Sequence, residues 1–166
     1  MHKDEYRMKT LLLVRHAKSS WKHPELSDID RPLNKRGKQD AKAMTDRLRE
    51  RNISVEVIIS STAVRALRTA ELLAEGLKFH GLNLTDDRLY AAAADQILDV
   101  IEEIDPQFDG VMIIGHNPGM TELACLLTRE LIAHVPTCGV VHLLYSAPSW
   151  QGIRRYRPEK WELIIP

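Results

Sequence analysis

Two cysteines in 166 residues are too few for a disulfide framework, and Cys125 and Cys138 lie in apolar stretches without a C-x-x-C pair. Both read as buried, reduced thiols. Cys138 sits in the turn-like Pro136-Thr137-Cys138-Gly139, but Val140, Val141 and His142 follow it, so the downstream arginine of a cysteine-phosphatase loop is missing. Net charge is absent too, with 23 Lys and Arg against 23 Asp and Glu. Basic residues are scattered, and the short cluster Arg154-Arg155-Tyr156-Arg157 comes without a binding motif, so nothing argues for nucleic acid. No apolar run approaches the ~20 residues of a membrane span. Met1 to Thr10 is polar, without the apolar core of a signal peptide. These absences lead to the expectation of a cytoplasmic protein with no membrane or nucleic-acid partner. There is no Gly-rich nucleotide loop. His23, His80, His134 and His142 show no metal-ligand spacing with one another or with Cys or Asp, so neither metal nor organic cofactor is expected. The neutral composition gives no reason for a second copy, and a monomer is the expectation.

What is present fits one compact domain. The length can bury a real core, and 44% hydrophobic with 28% charged residues is ordinary for a globular chain. The expected division is a flexible tail over 1–9 and a single domain over 10–166. Thr10 to Val14 is a continuous apolar run, as in a strand buried on both faces. Ala41, Met44 and Leu48 recur at helical spacing, and so do Val64, Leu67, Ala70, Leu73 and Leu77. Val55 to Ile59 and Val111 to Ile114 read as further buried strands, with a short strand at Leu82 to Leu84. Ile97, Ile101 and Ile104 mark a helix closed by Pro106, and another helix runs from Met120 to Leu127. Val140 to Tyr145 and Trp161 to Ile165 lack a helix between them, which predicts an antiparallel edge. Such alternation predicts an α/β fold with a mainly parallel sheet and helices on both faces.

Ligands of such folds bind at the carboxyl ends of the strands. Three buried strands end in polar residues there: Arg15-His16, Ser60-Ser61-Thr62 and Gly115-His116-Asn117. Asn117 suits a helix N-cap and Pro118 the first helical position, which would leave free N–H groups beside His116 for an anion. Ser61 or Thr62 would cap the second helix and put Arg65 in its first turn, while Arg68 is expected to pair with Glu71. Two histidines, two arginines and a helix N-terminus on one rim suit a phosphoryl group, because guanidinium forks match its oxygens. They also hold a nucleophile, since a neutral imidazole needs no strong base to activate it.

Arg15-His16-Ala17, Ser61 through Arg65-Ala66 to Thr69-Ala70, and Gly115-His116-Asn117-Pro118-Gly119 resemble, in order, the three signature elements of the histidine phosphatase superfamily. Two longer strings, Leu11-Leu12-Leu13-Val14-Arg15-His16-Ala17-Lys18-Ser19-Ser20-Trp21 and Arg31-Pro32-Leu33-Asn34-Lys35-Arg36-Gly37, are similar to its SixA-type branch, whose named activity is protein phosphohistidine phosphatase. The resemblance implies a three-layer α/β/α sandwich of the phosphoglycerate mutase-like kind, without metal or cofactor. It implies that His16 is the nucleophile and that Arg15, Arg65 and His116 bind the phosphoryl group; Asn117, next to His116, is a further candidate phosphate ligand.

Ala17 departs from the glycine that often follows the Arg-His pair. For the general acid that many members carry, Asp87 in Asp86-Asp87-Arg88-Leu89-Tyr90 is the candidate. Phosphohistidine has a far better leaving group than an alkyl phosphate, so it depends less on such an acid, whose value elsewhere is roughly a hundred- to ten-thousandfold. The segment between Leu84 and Asp95 is too short for a lid, and an open site suits a phosphorylated protein. The expected substrate is a phosphohistidine protein. The alternatives are a small phosphorylated metabolite or a phosphate-binding module with little turnover.

Overall fold

The computed structural model describes residues 6–166; the first five positions of the expected tail lie outside the described residues. The strands are β1 (Arg7–Arg15), β2 (Val57–Ser60), β3 (Leu82–Thr85), β4 (Gly110–Gly115), β5 (Val140–Ala147) and β6 (Lys160–Ile164). The helices are α1 (Lys35–Glu50), α2 (Val64–Gly76), α3 (Ala94–Glu102) and α4 (Gly119–Thr128). One sheet carries all six strands in the order β3-β2-β4-β1-β5-β6. The pairs β1 with β4, β4 with β2 and β2 with β3 are parallel, while β5 runs antiparallel to both β1 and β6.

Strand alternation divides the core into two layers. Leu12 and Val14 pack with Ala41, Met44 and Leu48 of α1 and Ala66, Ala70 and Leu73 of α2. Leu11 and Leu13 point the other way, into Ile97, Leu98 and Ile101 of α3 and Met120, Leu123 and Leu127 of α4. The result is the expected three-layer sandwich with an antiparallel edge. Among the described residues no helix is long and apolar enough to cross a membrane.

The boundary placed at residue 9 needs correction. β1 starts at Arg7, and Lys9 is completely buried although its side chain is charged. Its ammonium donates to the carbonyls of Pro106 and Phe108 at 2.5 and 3.1 Å and to Asp109 Oδ1 at 2.8 Å, and lies 5.7 Å from the Trp150 ring centre. Full pairing permits that burial, and the partners lie about 100 residues away, where no local pattern discloses them.

The connections from β1 and β2 run through α1 and α2 on one face, whereas those from β3 and β4 run through α3 and α4 on the other. β1 and β4 are neighbours whose outgoing chains diverge, and a crevice opens beyond their carboxyl ends.

Candidate active site

Backbone pairing fixes the Arg15-His16 segment before any side chain acts. His16 N–H donates to the Gly115 carbonyl at 3.0 Å, and Arg15 N–H to that of Gly139 at 3.1 Å. Cys138 N–H reaches the carbonyls of both Arg15 and His16, at 3.0 and 3.1 Å. Ala17 N–H donates to Thr69 Oγ1 at 3.0 Å, and that hydroxyl donates onward to the Arg65 carbonyl at 2.7 Å. Ala17 is fully buried in the α1/α2 layer, so the fold accommodates its methyl group where a glycine is common.

Four of the predicted residues converge. The His16 and His116 rings lie 5.1 Å apart, Arg65 Nε donates to His16 Nε2 at 3.4 Å, and both histidines and Arg65 are buried. Arg15 Nη1 donates to the Val135 carbonyl at 3.1 Å. His16 Nδ1 lies 2.7 Å from the Ala17 carbonyl, which can only accept, so Nδ1 carries the proton and Nε2 keeps its lone pair. Burial lowers the His16 pKa to about 4, with the charges of Arg65, Arg15 and Arg31 adding to the effect against the Ala17 hydrogen bond. The imidazole is therefore neutral at cellular pH, with its lone pair on Nε2.

His116 is set in the complementary way. Its Nε2 lies 2.8 Å from Ser61 Oγ, which already accepts from Ala63 N–H at 3.2 Å. In the tautomer in which the Ser61 hydroxyl donates to Nε2, His116 carries its proton on Nδ1. Among the described residues Nδ1 has no hydrogen-bond partner. Burial lowers the His116 pKa to about 3, followed by the charges of His16 and Arg65. Thus His16 presents the lone pair of Nε2, and His116 an unpaired ring nitrogen.

The helix caps differ from expectation. The N-cap of α2 is Ala63, and Ser61 turns instead to His116. At α4 the N-cap is Pro118, after a cis Asn117–Pro118 peptide. Asn117 donates from Nδ2 to the Val135 carbonyl at 3.0 Å and accepts through Oδ1 from Thr121. Both ends of its amide are engaged, so it braces the loop that also receives Arg15. Arg68 pairs with Glu71 at 2.9 Å, as expected. Burial pushes the Cys138 thiol up to about 12, where it stays protonated and inert.

Asp87 is not drawn into this group. It is exposed in a 3-10 turn, and its carboxylate has no hydrogen-bond or ion-pair partner among the described residues. The carboxylate that does enter is Asp28. Its Oδ2 accepts from Arg65 Nη2 at 3.0 Å and from the Tyr90 hydroxyl at 2.7 Å, and its backbone carbonyl takes Arg65 Nη1 at 2.6 Å. The Tyr90 hydroxyl and then Arg65 hold Asp28 down at about 2, against partial desolvation, so it is ionised at neutral pH. The Tyr90 ring stands edge-on to His116, 5.5 Å between centres. Sequence reasoning missed Asp28 and Tyr90. Asp28 lies only three residues before the Arg31 string, yet its contact with Arg65 spans 37 positions.

A buried neutral imidazole with converging guanidinium groups beside it suits the hydrolysis of a phosphate ester or phosphoramidate, and the comparisons agree. Residues 11–90 match the model of the histidine phosphatase superfamily (branch 1). A chloroplastic protein of Arabidopsis thaliana is 30% identical over 163 residues, covering 92% of this chain and 74% of its own. The crystal structure of a SixA protein from Agrobacterium tumefaciens superposes with a TM-score of 0.80 at 27% identity, over 95% of this chain and 98% of its own. The protein histidine phosphatase SixA in complex with tungstate has the same fold, with a TM-score of 0.76 at 16% identity over 93% and 94% of the two chains. The chain belongs to the histidine phosphatase superfamily, shares the fold of the SixA structures, and is a phosphatase.

Proposed function

We propose that this chain is a metal-independent protein phosphohistidine phosphatase of the cytoplasm that works through phosphorylated His16. The observation carrying the reading is the fixed tautomer of His16, with its Nε2 lone pair beside Arg65 and the unpaired His116 Nδ1 in the neighbouring ring. A phosphoryl group seated among Arg15, Arg65 and His116 has its oxygens matched by N–H donors, and as Arg65 Nε turns from His16 Nε2 to a phosphoryl oxygen the lone pair is freed for phosphorus.

In the first step the Nε2–P bond forms as the substrate's own P–N bond breaks in line. The proton stays on His16 Nδ1, hydrogen-bonded to the Ala17 carbonyl, so the cationic ring of the intermediate is stabilised where it forms. The departing imidazole carries a proton on its other ring nitrogen and leaves neutral. Water then attacks phosphorus, His16 returns to its resting tautomer, and phosphate is released. Transfer from one imidazole to another is nearly balanced in energy, and no carboxylic acid is required. This fits a pocket whose carboxylate, Asp28, is ionised and whose other candidate, Asp87, is exposed.

Phosphate release from a phosphohistidine protein and from an alkyl phosphomonoester, measured side by side with chelator present, tests this. The expected result is a strong preference for phosphohistidine, abolished in His16→Ala. Preference for the ester would establish a metabolite phosphatase. Equal inertness of wild type and variant on both substrates would leave only a binding module.

A further inference from the structure

Arg31 has no role in the mechanism above, yet it is built into the same pocket. It is 8% exposed, and its Nε and Nη1 have no hydrogen-bond partner. A charged donor without an acceptor is the costliest group to bury. Among the described residues only five buried side-chain polar atoms lack partners, and Arg15 Nε, His116 Nδ1 and these two of Arg31 are four of them. The carboxylate facing Arg31 is Asp28, with Oδ1 at 3.3 Å from Nε outside hydrogen-bond geometry, and its other oxygen serves Arg65 and Tyr90. The Trp21 ring covers the guanidinium face, with 3.5 Å between the central carbon and the ring centre, although Trp21 itself is 78% exposed.

Stacking fixes the plane of the guanidinium and leaves its edge free to donate. Arg15, Arg31 and Arg65 bring three positive charges against the single negative charge of Asp28, an excess that a phosphoryl dianion neutralises. Arg31 also contributes to lowering the His16 pKa, so its charge is felt at the nucleophile.

Building on the phosphatase reading, we propose that Arg31, held flat by Trp21, is a third guanidinium of the phosphoryl site and donates its free N–H groups to a phosphoryl oxygen. Arg15 reaches the group from the Val135 loop and Arg31 from the Asp28 turn. The Trp21 ring, covering Arg31 and open to solvent, then borders the bound substrate and reports its arrival.

The test titrates inorganic phosphate into wild type, Arg31→Met, Arg31→Lys and Trp21→Phe by calorimetry. Tryptophan fluorescence is followed in parallel, and KM and kcat are measured on a phosphohistidine protein. Loss of charge-assisted hydrogen bonds should weaken phosphate by about ten- to hundredfold in Arg31→Met. KM should rise more than kcat falls, and Arg31→Lys should recover only part of the loss. Wild type should show a phosphate-dependent fluorescence change that Trp21→Phe lacks, an arm that stands even if Arg31→Met does not fold. Phosphate affinity within twofold of wild type in a folded Arg31→Met overturns the proposal while leaving the phosphatase reading intact. So does a fluorescence change that survives in Trp21→Phe. A wild type that neither binds nor releases phosphate overturns both.

Discussion

At the scale of single residues the site is a matter of where protons and charges sit. His16→Ala removes the only nucleophile of the proposed mechanism, and turnover should fall by about four orders of magnitude or more. With His16 titrating at about 4, kcat/KM should rise with pH through that value and then stay level through neutrality; an acid limb centred near 6.5 would show that His16 is not held neutral by burial. Asp28 competes with substrate for Arg65 through its ion pair at 3.0 Å. Its side chain is half exposed, so solvent screening reduces that competition to roughly 1 kcal/mol. Asp28→Asn should accordingly bind inorganic phosphate about three- to tenfold more tightly by calorimetry, and weaker binding would mean that Asp28 chiefly aims Arg65.

At the scale of elements the nucleophile loop and α1 form one unit. Asn34 N–H donates to the Lys18 carbonyl at 3.0 Å, Ser20 N–H to that of Pro32 at 2.8 Å, and Asn34 Oδ1 caps α1 through Gly37 N–H at 2.8 Å. Gly37 lies directly against Lys18, and a Cβ there would meet the Lys18 carbonyl oxygen at 2.2 Å. That oxygen is backbone and cannot swing aside, so Gly37→Ala must displace a segment two residues from His16. It should cost about 1–3 kcal/mol in thermal unfolding and reduce kcat/KM at least tenfold. A variant destabilised but fully active would uncouple the loop from catalysis.

This coupling also marks the limit of what the sequence discloses. The strands were legible because Leu11 to Val14 and Val111 to Ile114 are buried on both faces and so read as unbroken apolar runs. The rim positions of Arg15, His16, Arg65 and His116 followed from the ends of those runs. Asp28, Tyr90 and the pairing of Trp21 with Arg31 were not legible as a group, because contacts across 10 to 62 positions depend on a loop with no period of its own. The caps misled for a similar reason. Ser61 has the side chain for capping α2, but tertiary contact gives its hydroxyl to His116.

At the scale of the whole molecule, one end of the sheet carries the rim of His16 and His116 and the other carries the Lys9 plug, and both bury basic side chains. They differ in how burial is reconciled with charge: Lys9 is fully paired, whereas His16 and His116 stay neutral. A neutral buried histidine ties folding to pH. Both imidazoles titrate at about 4 and about 3 in the folded chain and near 6.5 once unfolded, so between those values the unfolded state binds more protons. Stability should therefore be complete above 6.5, fall as pH drops toward 4, and level off below the folded values. Moving one imidazole from 6.5 to about 4 corresponds to roughly 3 kcal/mol, and the pair together to roughly 3–6 kcal/mol because their repulsion is shared. Urea unfolding at pH 7.0 and 4.5 should register a loss of that order in wild type and about half of it in His116→Gln, which keeps a hydrogen-bonding group without the titration. Equal losses in the two proteins would place the acid sensitivity elsewhere. A smaller loss in the variant would tie the acid sensitivity of the whole fold to the neutral histidines on which the phosphoryl chemistry depends.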